Sequence, residues 1–376
     1  MSRIRICFVA QGAYPIASGR DFGVVGGAEL QQVILAKALA RKGLDVSMVS
    51  FDYGQAEGEV VDGVRFFKTY RLDEGMRYVR FLYPRLARIR GALVKADADV
   101  YYQRCAGFIT GVTAYFCRRY HRRFIFAGAH EDDFMPWKQA LTNLRDGLFY
   151  RYGLPRADAV FAQTETQKEL LRRNYGIEGA VIPNCIEPVA LEPSRHRDAI
   201  LWVGTMRSWK RPRLFLDLAG MLPSYRFVMV GGRASGEGRL YEELQAEAKG
   251  IGNLDFRGFV PYHEIGPYFD RAALLVNTSI REGFPNTFLQ AWIRGVPVGT
   301  LFDPDGVVKI HGLGVARQTI GDLSEGIGGI LAEPELMDRV GGRCLRYVRQ
   351  RHGVEEVVGK VMRAVEELMN PQYGPM

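Results

Sequence analysis

The chain has 376 residues, a net charge of +8 from 50 basic and 42 acidic side chains, and an apolar content of 47%. That length predicts two domains of ordinary size with ample core, and the charge favours anionic partners such as a nucleotide diphosphate or an acidic membrane surface. Nucleic acid is set aside as a partner, because no RNP-like motif, zinc-ligand spacing or basic arm accompanies the charge.

The first segment, MSRIRICFVAQ, carries an apolar run over 4–10 that is too short for a signal peptide and reads as a strand. A Gly-rich segment follows, then an amphipathic helix over 28–42 and a second strand over 45–51 introduced by Gly43. This strand, loop, helix, strand order predicts a parallel sheet covered by helices. Further strands are predicted at 100–103, 124–127 and 159–163, with a short one at 180–183. The stretch 187–198 (EPVALEPSRHRD), with two prolines and mixed charge, reads as a linker. The pattern then restarts, with a strand over 200–204, a helix over 211–219, and strands at 226–231, 254–256, 274–277 and 296–299. The tail over 354–368 is an amphipathic helix.

The predicted fold class is therefore α/β, with two doubly wound, Rossmann-like halves in tandem. The first spans 1–190, the second 199–353, and a terminal helix 354–376. Ligands of such sheets bind beyond the carboxyl ends of the strands, so two facing halves would share one cleft. No apolar stretch approaches the ~20 residues of a membrane span, so any membrane contact is peripheral. The five cysteines (Cys7, Cys105, Cys117, Cys185, Cys344) are scattered, without a C-x-x-C pair, which predicts no disulfide framework or zinc site and fits a reducing cytoplasm.

The segment REGFPNTFLQAW, 281–292, carries the chemistry. Glu282 sits in a Gly-Pro turn that opens a helix, and Asn286, Thr287 and Gln290 follow among apolar residues. A helix start presents unpaired N–H groups and the positive dipole end, a ready site for phosphate. Glu282 repels phosphate, so it must face something rich in hydroxyls. Together these features suggest a nucleotide-sugar.

These residues resemble the family 4 (group 1) glycosyltransferases of the GT-B type. The resemblance rests on VGTMRSWKRP (203–212), FRGFVPYHE (256–264), NTSIREGFPNTFLQAWIRGVPV (277–298), GGAE (26–29) and the weaker FAGAHEDDF (126–134). It implies two Rossmann-like domains with the donor held mainly by the second, retention of anomeric configuration, no required metal or other cofactor, and a tail helix that crosses back to the first domain. Two departures stand out. The family's Glu-x7-Glu pair is here Glu282 and Gln290, and the arginine often found after the first glycine of the second half is Thr205, with Arg207 as the nearby base.

The resemblance implies that Glu282 contacts donor-sugar hydroxyls and that Gly283, Phe284 and Pro285 lead the backbone to the diphosphate. Gln290 stands where the family grips the nucleotide ribose. Gln can still accept and donate, but a neutral hydrogen bond contributes about 0.5–1.5 kcal/mol against about 1.5–3 for a charged one. An amide can be neither acid nor nucleophile, so Glu282 and Gln290 are not a hydrolytic carboxylate pair. Lys210 lies six residues after Gly204, the family spacing for the lysine that meets the diphosphate. A fixed cation there favours the departing diphosphate more than the bound donor. Arg207 is a second candidate cation, and Arg211 reads as surface. Gly26 and Gly27 allow close approach of backbone to a phosphate or sugar, while Glu29 reads as a partner of the helix dipole. His130 lies past a strand end and is a candidate base. The neighbouring acidic run Glu131, Asp132 and Asp133 reads as a solvated loop rather than a metal site. In the family the stretch at Phe259 and Val260 touches the base, and Arg104 is a candidate acceptor contact.

A basic, apolar-interleaved stretch over 77–95, interrupted by Pro84, and a cluster of Arg118, Arg119, Arg122 and Arg123 read either as an interfacial surface on anionic lipid or as solvated helix faces. The sequence thus predicts a retaining, metal-independent glycosyltransferase. It would move a sugar from a nucleotide-diphosphate donor to a glycan or lipid-linked acceptor in surface polysaccharide or glycolipid assembly. The alternatives are a nucleotide-sugar epimerase, a sugar phosphorylase, or a non-catalytic nucleotide-sugar binder.

Overall fold

The structure is a computed structural model and describes residues 4–20, 26–76, 79–136, 141, 143–190 and 197–370. Part of the Gly-rich loop, Arg77 at the head of the basic stretch, the middle of the expected linker and the last residues of the tail lie outside the described residues. Two compact units divide the chain: Met1–Cys185 with Val354–Met376, and Ile186–Gly353.

In the first unit the strands are β1 (Arg5–Val9), β2 (Asp45–Ser50), β3 (Val60–Val61), β4 (Val64–Lys68), β5 (Val100–Arg104), β6 (Arg123–Ala127), β7 (Ala159–Ala162) and β8 (Ala180–Val181). They form one sheet in the order β3-β4-β2-β1-β5-β6-β7-β8. All pairs are parallel except the β3/β4 hairpin. Ile6, Cys7 and Phe8 on β1 are fully buried on both faces, as a parallel strand covered by helices requires. The strand order reverses between β1 and β5, the switch point of this unit. The tail helix Val354–Met369 packs on the helix Gly27–Arg41 of this unit, and Lys42 pairs with Glu355.

The hairpin is absent from the sequence expectation, although its signal is present. Asp62 and Gly63 both have positive φ (46° and 81°), the two-residue turn that an Asp-Gly pair between apolar runs favours. The helix Phe108–Arg119 is likewise missing from the expectation.

In the second unit the strands are β9 (Ala199–Val203), β10 (Arg226–Val230), β11 (Leu254–Gly258), β12 (Ala272–Asn277), β13 (Val298–Thr300) and β14 (Gly314–Ala316), the last not expected. Their order is β11-β10-β9-β12-β13-β14, all parallel. Here the reversal falls between β9 and β12. Trp292, Phe215 and Phe227 are fully buried in the core of this unit. The passage between units comes earlier than the expected linker at 187–198. Ile186 is 7% exposed, joins the second core, and donates its N–H to the His352 carbonyl at 2.9 Å. Apolar Ile186 outweighs the polar segment that follows it.

Candidate active site

The candidate site lies beyond the carboxyl ends of β9 and β12, the adjacent strands flanking the switch point of the second unit. Lys210 ends a short turn, Ser208–Lys210, reached from β9 through Gly204. Its Nζ lies 2.6 Å from Oε1 of Glu282, and Ser279 donates its hydroxyl to the same oxygen at 2.8 Å. Both charged side chains are mostly buried, Lys210 at 19% and Glu282 at 12% exposure. The ammonium also lies 4.7 Å from the centroid of the Trp209 ring, a cation–π contact that holds it in place. Oε2 of Glu282 accepts no hydrogen bond among the described residues, which leaves one carboxylate oxygen for a substrate hydroxyl.

A hydrogen-bonded scaffold joins the two loops. Thr278 donates its hydroxyl to the Lys210 carbonyl at 2.6 Å and accepts from Trp202 Nε1 at 3.1 Å. Ile280 N–H donates to the Trp209 carbonyl at 3.0 Å. Arg211 donates from Nε to the Thr278 carbonyl at 2.8 Å and from Nη2 to the Ser279 carbonyl at 3.3 Å. This corrects the surface assignment of Arg211. The residue is half-buried with φ of 47°, and burial pulls its guanidinium pKa below the ordinary value. It stands before Pro212, a place where αR is disfavoured, and the turn aims its side chain inward. Ser279, Thr278 and Arg211 escaped the sequence reading because their roles depend on a neighbouring strand end some 70 residues away.

Crowding of backbone explains the glycines. A Cβ on Gly231 would fall 2.0 Å from the Gly204 carbonyl oxygen, and one on Gly204 would press the Trp202 ring and Lys210 at 3.2 and 3.3 Å. Phe259 lies against Gly232 and is 39% exposed, while Val260 is half-buried beside it. Gly283, Phe284 and Pro285 are buried. The Phe284 ring packs 4.7 Å from His352 and 6.1 Å from Trp292, so its side chain belongs to the core. Asn286 and Thr287 are half-buried at the start of the helix Asn286–Trp292. That helix has only seven residues, so the fixed cation, rather than the dipole, carries the case for an anion here. Gln290 is 8% exposed, which excludes a solvent-facing helix position. Its side chain makes no hydrogen bond among the described residues. Arg207 is half-buried and forms no ion pair among them, leaving its charge uncompensated near Lys210.

The remaining candidates belong to the first unit. Arg104 ends β5 and donates Nη2 to Asn184 Oδ1 at 2.6 Å, with its Nε buried and without a partner among the described residues. His130 caps the turn Glu131–Phe134, its Nδ1 accepting from Asp132 N–H at 3.3 Å. Asp133 is buried, not solvated. It accepts from the N–H groups of Ala106, Ala129 and His130, and burial raises its pKa despite those bonds. Its role is structural, locking this turn. Gly26 precedes the helix Gly27–Arg41, and a Cβ there would lie 1.9 Å from Glu29 Oε2. The space over Gly26 is thus taken by a carboxylate that complements the dipole, an unfavourable neighbour for phosphate. Lys210 and Glu282 are brought together, with Ser279 as third member; Gly204, Phe259 and Val260 sit at neighbouring strand ends.

Sequence models of two glycosyltransferase groups match the chain. Glycosyltransferase Family 4 covers residues 25–189, and Glycosyl transferases group 1 covers 197–333. The chain belongs to the family 4, group 1 glycosyltransferases. An uncharacterized glycosyltransferase of Haemophilus influenzae is 21% identical over 90% of this chain and 96% of its own length. A Campylobacter jejuni α-1,4-N-acetyl-D-galactosaminyltransferase acting on a GalNAc-containing diNAcBac-PP-undecaprenol is 22% identical over 71% of this chain and 73% of its own. Among solved structures, Anabaena HepE in complex with UDP and glucose superposes with a TM-score of 0.77 at 17% identity, covering 97% of this chain and 100% of HepE. Sucrose-phosphate synthase from Thermosynechococcus elongatus gives 0.74 at 17% identity, covering 98% and 99%. These likenesses establish the GT-B fold, so the Lys210–Glu282 site lies in the second Rossmann-like domain of a glycosyltransferase.

Proposed function

We propose that this glycosyltransferase is retaining and metal-independent, with a nucleotide-diphosphate sugar as donor and a hydroxyl of a glycan or lipid-linked glycan as acceptor. The observation that carries the reading is the mostly buried Lys210–Glu282–Ser279 cluster at the switch point, one fixed cation beside one carboxylate whose second oxygen is free among the described residues. Lys210, with Arg207 beside it, meets the diphosphate. Glu282 Oε2 accepts a donor-sugar hydroxyl. As the bond from the anomeric carbon to the diphosphate oxygen breaks, charge builds on that oxygen, and a preorganised cation favours this state over the ground state. The acceptor oxygen bonds to the anomeric carbon on the same face, and its proton passes to the departing phosphate oxygen. His130 needs no part as base in this scheme. Gln290 grips the nucleotide ribose through neutral hydrogen bonds, which predicts a modest donor affinity.

The undecaprenol-linked acceptor in the Campylobacter relative's name supports a role in surface polysaccharide or glycolipid assembly, at the face of an anionic membrane. The test is transfer with a panel of nucleotide-sugars, with the product's anomeric configuration read by NMR. Product with the donor's configuration, formed at the same rate with and without EDTA, is expected. An inverted product, or activity abolished by chelator and restored by a divalent ion, overturns the proposal.

A further inference from the structure

The first unit carries a feature that shares no residue with the Lys210–Glu282–Ser279 cluster. Between the helices Ala87–Ala96 and Phe108–Arg119 lies a cavity of about 300 Å³. Its walls are apolar, formed by Leu86, Leu93, Val112, Phe116 and Phe149. At its edge stand Arg90, Arg119 and Tyr115, all exposed, Tyr115 at 62%. The stretch of chain that carries it is rich in exposed apolar side chains. Of fourteen large apolar side chains exposed among the described residues, nine fall within 72–148, about a fifth of the chain; Leu82 and Tyr83 are 66% and 71% exposed.

The charge on this face is selective. Several nearby cations are neutralised within the fold: Arg122 pairs with Asp97 and Asp99, Arg123 with Asp158, Arg88 with Glu74 and Lys95 with Glu57, while Arg85 is taken up by the Leu72 carbonyl and the Tyr70 ring. Arg90 and Arg119 differ. Arg90 donates Nη2 to the Tyr120 hydroxyl at 2.7 Å, and the Arg119 guanidinium lies 5.7 Å from the same ring. Neither has a carboxylate partner among the described residues, and neither does Arg118. An apolar slot edged by uncompensated guanidinium groups complements an amphiphile with an apolar chain and an anionic head.

We propose that this cavity anchors the protein on an anionic membrane, receiving the acyl chain of an acidic phospholipid while Arg90 and Arg119 hold its phosphate. The inference deepens the membrane reading given above and rests on it. Tyr115, Leu82 and Tyr83 enter the interface beside the lipid, as aromatic and aliphatic side chains do at headgroup level.

The test is cosedimentation of the full chain with vesicles of phosphatidylcholine alone and of equimolar phosphatidylcholine and phosphatidylglycerol. Wild type binds the acidic vesicles. The double variant Arg90→Ala, Arg119→Ala binds them roughly 25-fold more weakly, about fivefold per arginine. Tyr115→Asp removes the binding that survives high salt. Arg239→Glu, in the second unit and 92% exposed, leaves binding unchanged. The charge-keeping pair Arg90→Lys, Arg119→Lys binds like wild type and controls for folding. Failure of wild type to prefer acidic vesicles ends the membrane reading and this inference with it. Acidic-vesicle binding that is undiminished in the double variant overturns the cavity assignment alone. A concentration-dependent dimer abolished by the same variant assigns the face to a second copy and overturns it too.

Discussion

Replacing Lys210 with Ala deletes the cation 2.6 Å from Glu282 and leaves the Glu282 side chain, 12% exposed, with Ser279 as its remaining partner. Two effects follow, and their sizes differ. In the folded protein, a mostly buried carboxylate loses a partner, which costs about 1–3 kcal/mol. For a unit of this size each kcal/mol lowers Tm by about 2–4 °C, so the protein melts several degrees lower but remains folded at assay temperature. In the reaction, the departing diphosphate loses a preorganised charged donor, which costs about 2.7–4 kcal/mol, or about 10²–10³ in rate. The donor diphosphate is already anionic before the bond breaks, so part of the loss raises KM and the rest lowers kcat. The assay is the initial rate of nucleotide diphosphate release across donor concentrations, with a melting curve on the same sample. A kcat/KM within threefold of wild type, in a folded variant, refutes the assignment of Lys210 to the leaving group.

Other substitutions probe separate links. Gln290→Glu should raise nucleotide affinity up to roughly tenfold, by exchanging a neutral for a charged hydrogen bond; isothermal calorimetry reads it, and an unchanged or weaker Kd removes Gln290 from the ribose site. Arg211→Ala loses the bonds to the Thr278 and Ser279 carbonyls, at about 1 kcal/mol each. A lower kcat with little change in KM is expected, because the loop holding Ser279 and Glu282 loosens; wild-type kcat contradicts a positioning role. Gly231→Ala places a Cβ 2.0 Å from the Gly204 oxygen, so the strand ends must part, and the variant should unfold at a far lower temperature or fail to accumulate soluble. Burial pushes the thiols of Cys7 and Cys344 up to about 12. Both should resist thiol reagents at pH 8 in the native protein and react promptly in denaturant; rapid native labelling of either contradicts the packing.

The tandem sheets were legible because buried parallel strands leave unbroken apolar runs, as at residues 6–9 and 200–202. Short edge elements were not. β14 has three residues, and the β3/β4 hairpin rests on a turn signal rather than on a run. Glu282 and Lys210 were legible from spacing inside their motifs. Their mutual ion pair was not, since 72 residues separate them. Ser279, Thr278 and Arg211 act through backbone carbonyls and a shared oxygen, contacts with no local pattern to betray them. Asp133 misled for the opposite reason. An acidic triplet suggests solvent, yet three backbone donors converge on its third member.

The central claim is that Lys210 and Glu282 hold opposite ends of one donor, the cation on the diphosphate and the carboxylate on the sugar. A crystal structure with an intact nucleotide-sugar tests it most directly. The account predicts a phosphate oxygen within hydrogen-bonding distance of Lys210 Nζ and a sugar hydroxyl donating to Glu282 Oε2. A diphosphate bound away from Lys210, or a sugar that leaves Glu282 untouched, contradicts it.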